Sequence, residues 1–427
     1  GTTAPDTQAA SGKISLEAAG NLLIGANSNL QATSQINLSA AQGALQIKGE
    51  GGIGGNPSAK VAKLTSGSDI VASGSTIEFQ GAQIEASGDV YITSHNGSML
   101  IDGVKSTFAN HNPTSRINEL NEYVLWADKT IADSKAEIDA KTSYILEELN
   151  KCYNGTDCTT PEFFDWFQRE GKLYSDASID HSDLESERRI AIETLAIISS
   201  NVKGGEHLGS SIVGRNVSLN SAEGLAIYGS DIIASGTASV QSAGKLPTSS
   251  ESGEDDQEDV AMVISGLSDF YERGAAGASN HAFALLSRPA FISGARGVFI
   301  NTSGENESPS MIMNDSVLDS ALGIVMLNSQ GNMRLEAGQE ELYSLSSKTY
   351  TKKSWFGAKR KKITETRIKQ RVEASPVVAR GQNIYLRSGG SIDAYATDFL
   401  APNGEIKITA ANALSLYSVP EISFNSF

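Results

Sequence analysis

Between residues 12 and 48 the chain reads GKISLEAAGNLLIGANSNLQATSQINLSAAQGALQIK, with apolar residues paired one position apart among Gly, Asn, Ser and Ala. Ile14 and Leu16 return 22 residues later as Ile36 and Leu38, and Leu22 and Ile24 return as Leu45 and Ile47. Ile70 of SDIVASG is echoed by Val90 of GDVYITS, and Ile384-Tyr385-Leu386 by Ile406-Lys407-Ile408. Spacing of i, i+2 buries one face of a short strand, a period that an α-helix cannot use. Strands of three to five residues returning every 20 to 23, with no helical pattern between them, predict a mainly β chain. The architecture expected is a right-handed parallel β-helix, a solenoid whose turns stack about 4.8 Å apart. A β-sandwich is the rival, and it requires tight hairpin signals and longer strands.

The pattern breaks where the chain changes character, and insertions into a solenoid map to loops on one face. From Pro113 to about Val202 it becomes charged and helical: Ile117, Val124, Ile131, Ile138 and Ile145 fall every seven residues, the seam of one long helix. Thr160-Pro161 opens a short aromatic helix, PEFFDWFQRE, which Gly171 closes. Ser182-Asp183-Leu184-Glu185 has the form of a capping box and starts a third helix with Leu184, Arg188, Ala191, Leu195 and Ile198 along one side. Together these predict an antiparallel helical hairpin. The other breaks are the acidic PTSSESGEDDQEDV, read as a solvated loop, and KTYTKKSWFGAKRKKITETRIKQR, read as a projecting β-hairpin with Trp355-Phe356-Gly357 at its tip. Residues 261–295 are less readable: SDFYERGAAGASNHAFALLSRPAF fits either a short helix or an irregular excursion. The expected organisation is β-helix coils over 1–110, helical hairpin over 111–207, coils over 208–246, acidic loop over 247–260, coils with the excursion over 261–344, basic hairpin over 345–375 and coils over 376–427.

Composition narrows the functional classes. A net charge of −16 argues against nucleic acid as the main partner, because phosphate binding needs a clustered positive surface. The six basic side chains of KKSWFGAKRKK are the local exception. No stretch approaches the roughly 18 apolar residues of a membrane-spanning helix. Two cysteines, Cys152 and Cys158, flank an Asn-Gly turn signal in CYNGTDC, and the five His are scattered. That pattern favours a disulfide in an oxidising compartment over a thiolate metal site, and so small a ring would contribute roughly 2 kcal/mol. His111 and His207 bracket the helical insertion, but two imidazoles without carboxylate or thiolate neighbours make a poor metal site. No metal or cofactor is expected.

The coils SGSDIVASGSTIEFQGAQIEASGDVYIT, the excursion KKSWFGAKRKKITETR and the following ARGQNIYLRSGGSIDAYATDFLAPNGEIKITAANALSLYS closely resemble the hemagglutinin repeats of filamentous-hemagglutinin-type exoproteins. The resemblance covers 12–108 and 209–420 loosely and 345–418 well. It implies a rod-like segment of a long adhesin or contact-dependent growth inhibition effector, exported by two-partner secretion through an outer-membrane transporter and folding at the outer surface of a Gram-negative bacterium. No amino-terminal secretion domain and no carboxy-terminal toxin module is evident, so the match is to an interior piece. The helical insertion and its cysteines stand outside the family's repeat pattern.

A β-helix also suits enzymes that cleave polysaccharides, which is the alternative reading, together with polysaccharide binding. Such sites need paired carboxylates across one glycosidic bond, and the Asn-x-Asp and Gly-His-Gly elements that would supply them are absent. GEGGIG at 49–54 satisfies G-x-G-x-x-G but is not followed by a helix to hold phosphate, so it reads as a turn. The chain is therefore expected to be a non-catalytic adhesin or delivery stalk that meets a receptor or glycan on a target cell. Affinity in such modules comes from aromatic and Arg anchors. The candidates are Tyr123, Trp126, Phe163, Phe164 and Trp166 on the helical hairpin. For contact with acidic lipid they are Lys352, Lys353, Trp355, Phe356, Lys359 and Arg360 on the basic one.

Overall fold

The computed structural model describes residues 7–9, 12–53, 59–111, 113–153, 161–199, 202–246, 260–274, 278, 280–303, 310–353, 360–419 and 422–426. The acidic segment 247–259 lies outside them. The chain is mainly β, and among the described residues it has one sheet of 26 strands, a second of seven, and two helices. It divides into two compact units: His111–Val202 with Glu272–Ala275 forms one, and the remainder of the chain forms the other.

Parallel pairing dominates the large sheet, in three ladders. One runs Ile14↔Ile36↔Ile70↔Val90↔Val217↔Ala238↔Val298↔Val325↔Ile384↔Ile406. Another passes from Leu22↔Leu45↔Ile77↔Met99↔Leu225↔Met262 through Met311↔Met333↔Ile392↔Leu414. The third begins Thr7↔Leu30↔Leu64↔Ile84↔Ile212↔Ile232↔Ile292↔Leu318 and ends Ala379↔Phe399. The echoes visible in the sequence at 14/36, 22/45, 70/90 and 384/406 are thus direct strand neighbours. Strand alternation explains the register: Ile70, Ala72, Gly74, Ile77 and Phe79 of Ile70–Gln80 are buried, while the residues between them are not. Burying each large apolar side chain among these contributes about 1.5–3 kcal/mol.

The interior also carries a line of hydroxyls. Ser94, Ser221, Ser242 and Thr302 are successive partners, as are Ser329 and Ser388, and all are buried. Ser94 Oγ donates to the Gly97 carbonyl at 2.6 Å, Ser221 to Gly224 at 2.9 Å and Ser388 to Ser391 at 3.1 Å. Ser329 does the same to Asn332 at 3.0 Å, so these four hydroxyls each satisfy a carbonyl three residues on, while Ser242 donates to the carbonyls of Glu223 and Ala261; partnered in this way they can be buried at little cost.

Passages from the Leu22-to-Leu414 ladder to the Thr7-to-Phe399 ladder turn corners of two kinds, which alternate. Asn27, Gly81, Gly229, Asp315 and Ala396 make short corners, all with a left-handed backbone, at φ 62°, 57°, 47°, 48° and 45°. At the intervening corners the chain leaves after Lys48, Asp102, Ser265 and Glu336 and returns at Ala62, Ser211, Ala290 and Val377. The last three of these excursions, with the last strand Ile422–Ser426, supply the second sheet, where Asn280–Arg288, Gly338–Lys353, Arg360–Ser375 and Ile422–Ser426 pair antiparallel in that order.

Neighbouring corners fit by size. A Cβ on Gly81 would lie 2.7 Å from Val104 Cγ2, and one on Gly229 would lie 2.7 Å from Leu267 Cδ1, so each of these short corners is covered by the first strand residue of the next excursion. At Asp315 the bulk is exchanged: the corner bears a side chain and the excursion begins with Gly338, whose Cβ would fall 2.7 Å from Asp315 Cβ.

Within the helical unit, α1 spans Thr114–Tyr153 and α2 spans Pro161–Ile198. The sequence predicts a stop at Gly171 and a new start at Ser182, and this is corrected: α2 is continuous through both. One glycine in a helix interior costs only about 1 kcal/mol, which packing along α1 offsets. Ser182 has no helix start to cap.

Candidate functional site

The seam of α1 turns inward at Val124, Ala127 and Ile131 while α2 offers Ala191, Thr194 and Ile198, with Ala127, Ala191, Thr194 and Ile198 buried. Polar contacts fix the alignment. Tyr123 Oη donates to Glu187 Oε2 at 2.5 Å, Arg188 Nε donates to Asp128 Oδ1, and the Tyr144 ring meets Trp166 edge-on at 5.9 Å. Tyr123 and Asp128 meet Glu187 and Arg188 in the later part of α2, whereas Tyr144, farther along α1, meets Trp166 near the start of α2, so the helices are antiparallel. Burial, with the Glu187 carboxylate beside it, pushes the Tyr123 phenol well above its ordinary value, and the ring keeps its proton and its role as donor.

The predicted aromatic anchors fall into two groups. Tyr123 and Trp126 pack at 5.5 Å, one helical turn apart on α1. Phe163 and Trp166 pack at 5.5 Å on α2, and Phe167 and Tyr144 join them. Trp126 and Tyr144 are separated by five turns of α1, about 27 Å, so the two groups are distinct patches on one helix pair. The side chain of Phe164 lies outside the described residues. Trp126 is 53 % exposed and Tyr144 47 %, and Leu125, Leu146, Phe167 and Tyr174 are exposed as well. Tyr144 and Leu146 escape a reading by seven-residue spacing because they lie beside the seam. The visible signal for Tyr144 is its distance of 18 residues from Trp126, which returns it to the same helix stripe.

On the basic hairpin the antiparallel register sets Lys352 opposite Lys361, Lys353 opposite Arg360 and Lys362 opposite Thr351. Directly opposed like charges weaken pairing at that end. Trp355, Phe356 and Lys359 lie outside the described residues, as do the side chains of Lys352, Lys353 and Arg360. So do Cys158 and the side chain of Cys152, whose backbone is in α1.

Other polar groups cluster between strands. The side chain of His111 lies outside the described residues. His207 Nδ1 lies 3.2 Å from Asp269 Oδ1, and the His207 backbone N–H donates to the same oxygen at 2.7 Å. Arg288 Nη1 donates to the His207 carbonyl at 2.8 Å. An imidazole oriented by a carboxylate is half of an acid–base device, but among the described residues no hydroxyl or thiol nucleophile meets its Nε2. No group of three or more His, Cys, Asp or Glu side chains among the described residues is placed to hold a metal ion. On the second sheet Phe283 and Tyr343 sit opposite each other with rings 5.2 Å apart and nearly parallel, and His281 packs against Tyr343 at 5.6 Å. Their faces are turned to each other, a cross-strand stack that supports the sheet. This stretch offers no readable period in the sequence.

Compared with known proteins, the chain matches no family model, no curated protein and no solved structure.

Proposed function

We infer that the three ladders wind as a right-handed parallel β-helix and that the chain is a non-catalytic segment of a secreted, surface-located exoprotein of the filamentous-hemagglutinin type. In this reading it serves as an adhesin or delivery stalk whose helical pair meets a receptor or glycan on a target cell. The observation that carries the adhesive part is the apolar surface of that pair. Trp126, Tyr144, Leu125 and Leu146 on α1, with Phe167 on α2, stand exposed on two long helices whose seam is already filled. Exposed aromatics on a preorganised element are the usual source of affinity in recognition surfaces. Export through an outer-membrane partner follows from the resemblance of the coils, and contact of the basic hairpin with acidic lipid is a subsidiary part of the same reading.

Binding of the labelled full chain to a panel of bacterial and animal cells tests it. The variants Trp126→Ser and Tyr144→Ser, each with unchanged far-UV circular dichroism, are expected to lower cell-bound protein at least tenfold. Binding that persists in both excludes these patches as the reader. Release of reducing ends from a polysaccharide panel would replace the adhesive reading with the enzymatic one.

A further inference from the structure

Trp126 is 53 % exposed on α1, with the Tyr123 ring against one side of it at 5.5 Å. Carboxylates stand before and after it along the same stripe of the helix. Glu122 precedes it by four residues and Asp133 follows it by seven, spacings that return to one face. Both are exposed, and among the described residues neither forms an ion pair, although Lys129 lies in the same stripe. Glu187, which accepts from the Tyr123 phenol, adds a third carboxylate from α2. The wider surface has the same sign. The two helices, of 40 and 38 residues, carry 17 Asp or Glu against nine Lys or Arg, half of the net −16 of the whole chain.

We propose that this stripe reads a basic polypeptide segment, with an arginine or lysine on the Trp126 ring and further cations against Glu122 and Asp133. The face of an indole attracts a cation, and a guanidinium both stacks on it and offers a fork of donors to a carboxylate. Glu122 and Asp133 are about 16 Å apart along the helix axis, a distance that an extended segment of about six residues covers. Complementary charge selects the partner. A sulfated or acidic glycan and an anionic lipid surface would bring like charge to these carboxylates, and a neutral glycan gives them no charge to pair with. The inference rests on the adhesive reading and narrows it, at this patch, from a receptor or glycan to a basic segment of a protein. The patch of Tyr144 and Trp166 is not part of it, because Glu137 and Glu148 beside Tyr144 are already bridged to Lys141 and Lys151.

Titration of the full chain with hexa-arginine tests it, in a background of Trp166→Phe and Trp355→Phe that leaves Trp126 as the one tryptophan. The Trp126 emission is expected to change saturably. Affinity should fall at least tenfold as salt rises from about 50 to about 500 mM, because the pairing charges are exposed. Glu122→Gln combined with Asp133→Asn, both at exposed helix positions, should weaken it at least fivefold with an unchanged circular dichroism spectrum. Hexaglutamate and a heparin hexasaccharide should leave the emission as it was. No saturable response to hexa-arginine, a response that the paired substitution does not weaken, or an equal response to either control would each overturn the proposal. Its failure is distinct from that of the adhesive reading. Cell binding lost in Trp126→Ser without any response to hexa-arginine leaves the patch a reader of some other chemistry, whereas a response to hexa-arginine with cell binding intact in Trp126→Ser keeps the site and removes its adhesive role.

Discussion

Arg215 grips both carboxylate oxygens of Asp89, Nε at 2.9 Å and Nη2 at 2.8 Å. These residues are 126 positions apart, yet they are brought together by the pairing of Val90 with Val217, the rung that closes over the departure of the helical insertion. Asn216 adds its side-chain amide at 2.9 Å, and Tyr91 donates its phenol at 3.1 Å. Hydrogen bonds from Arg215 chiefly, against the opposing effect of burial, hold the Asp89 carboxyl far below the usual carboxylate range. A depressed carboxylate contributes stability that is fully present above its unfolded value near 4 and is lost as pH falls through the folded value. Asp89→Asn is therefore expected to lower the unfolding midpoint at pH 7 by roughly 2 °C, with the gap to the parent shrinking below about pH 4. Calorimetry across that range checks it, and a gap that widens in acid would be the wrong sign. The guanidinium itself is 62 % exposed, which limits the magnitude.

Asp315 shows the opposite linkage. It is buried at a left-handed corner, accepting from Ser375 Oγ at 2.5 Å and from Ser287 Oγ. Burial pushes its carboxyl above the ordinary value, against the pull of the two serine bonds. The charged form thus carries a cost in the folded state that sets in as pH rises through the unfolded value and is complete above the folded one. Asp315→Asn keeps an acceptor and a residue type that tolerates positive φ, so its stability relative to the parent should rise with pH between acid and neutral. Asp315→Ala loses both bonds and the tolerance, at about 2–3 kcal/mol. Urea titrations of the three proteins at two pH values would separate these outcomes. Equal effects of Asn and Ala would discount the hydrogen bonds.

The ladders were legible in advance because burial demands register: a slip of one residue would turn Ile36 and Leu38 to solvent, so their spacing from Ile14 and Leu16 is preserved in the sequence. Alternating corners were not legible, since Asn27, Gly81, Gly229, Asp315 and Ala396 share a backbone conformation and not a residue type. The excursions hide for a related reason. Each is matched locally to its corner, as Val104 is to Gly81 and Gly338 is to Asp315, so no common motif marks them. Among the aromatic candidates, Tyr123 with Trp126 and Phe163 with Trp166 could be paired from helical spacing. The meeting of Tyr144 with Trp166 could not, because it depends on how α1 is set against α2.

Two glycines separate conformational from steric demands. At Gly229 a methyl group would meet Cδ1, Cγ and Cβ of Leu267 at 2.7, 2.8 and 3.1 Å, a side chain that can shift as a backbone atom cannot, so Gly229→Ala costs about 1–2 kcal/mol for the left-handed backbone plus that adjustment. At Gly209 the same group would come within 1.9 Å of the Gly229 carbonyl oxygen, an atom of the backbone that cannot step aside. Gly209→Ala is expected to cost more than Gly229→Ala, roughly 3 kcal/mol or above. Equilibrium unfolding of both gives the order, and a reversed order would contradict the packing described at this corner.

Two strands of the second sheet flank the helical insertion: Val104–His111 leads out and Val202–Leu208 leads back. Leu267–Arg273 and Asn280–Arg288, of the same sheet, are separated by six residues of chain. Contacts that span the insertion point lie elsewhere, in the rungs Val90↔Val217 and Met99↔Leu225 and in the Asp89–Arg215 pair. Replacing residues 112–201 by Asn-Gly, a dipeptide suited to a two-residue hairpin turn, should therefore keep the β structure. Circular dichroism is expected to lose its helical component and retain the strand signal, with the main unfolding transition moved by no more than about 2 °C per kcal/mol of change at the new turn. Loss of the cooperative transition would show that the ladders depend on the helices, and that the insertion is a part of the scaffold on which the rungs close.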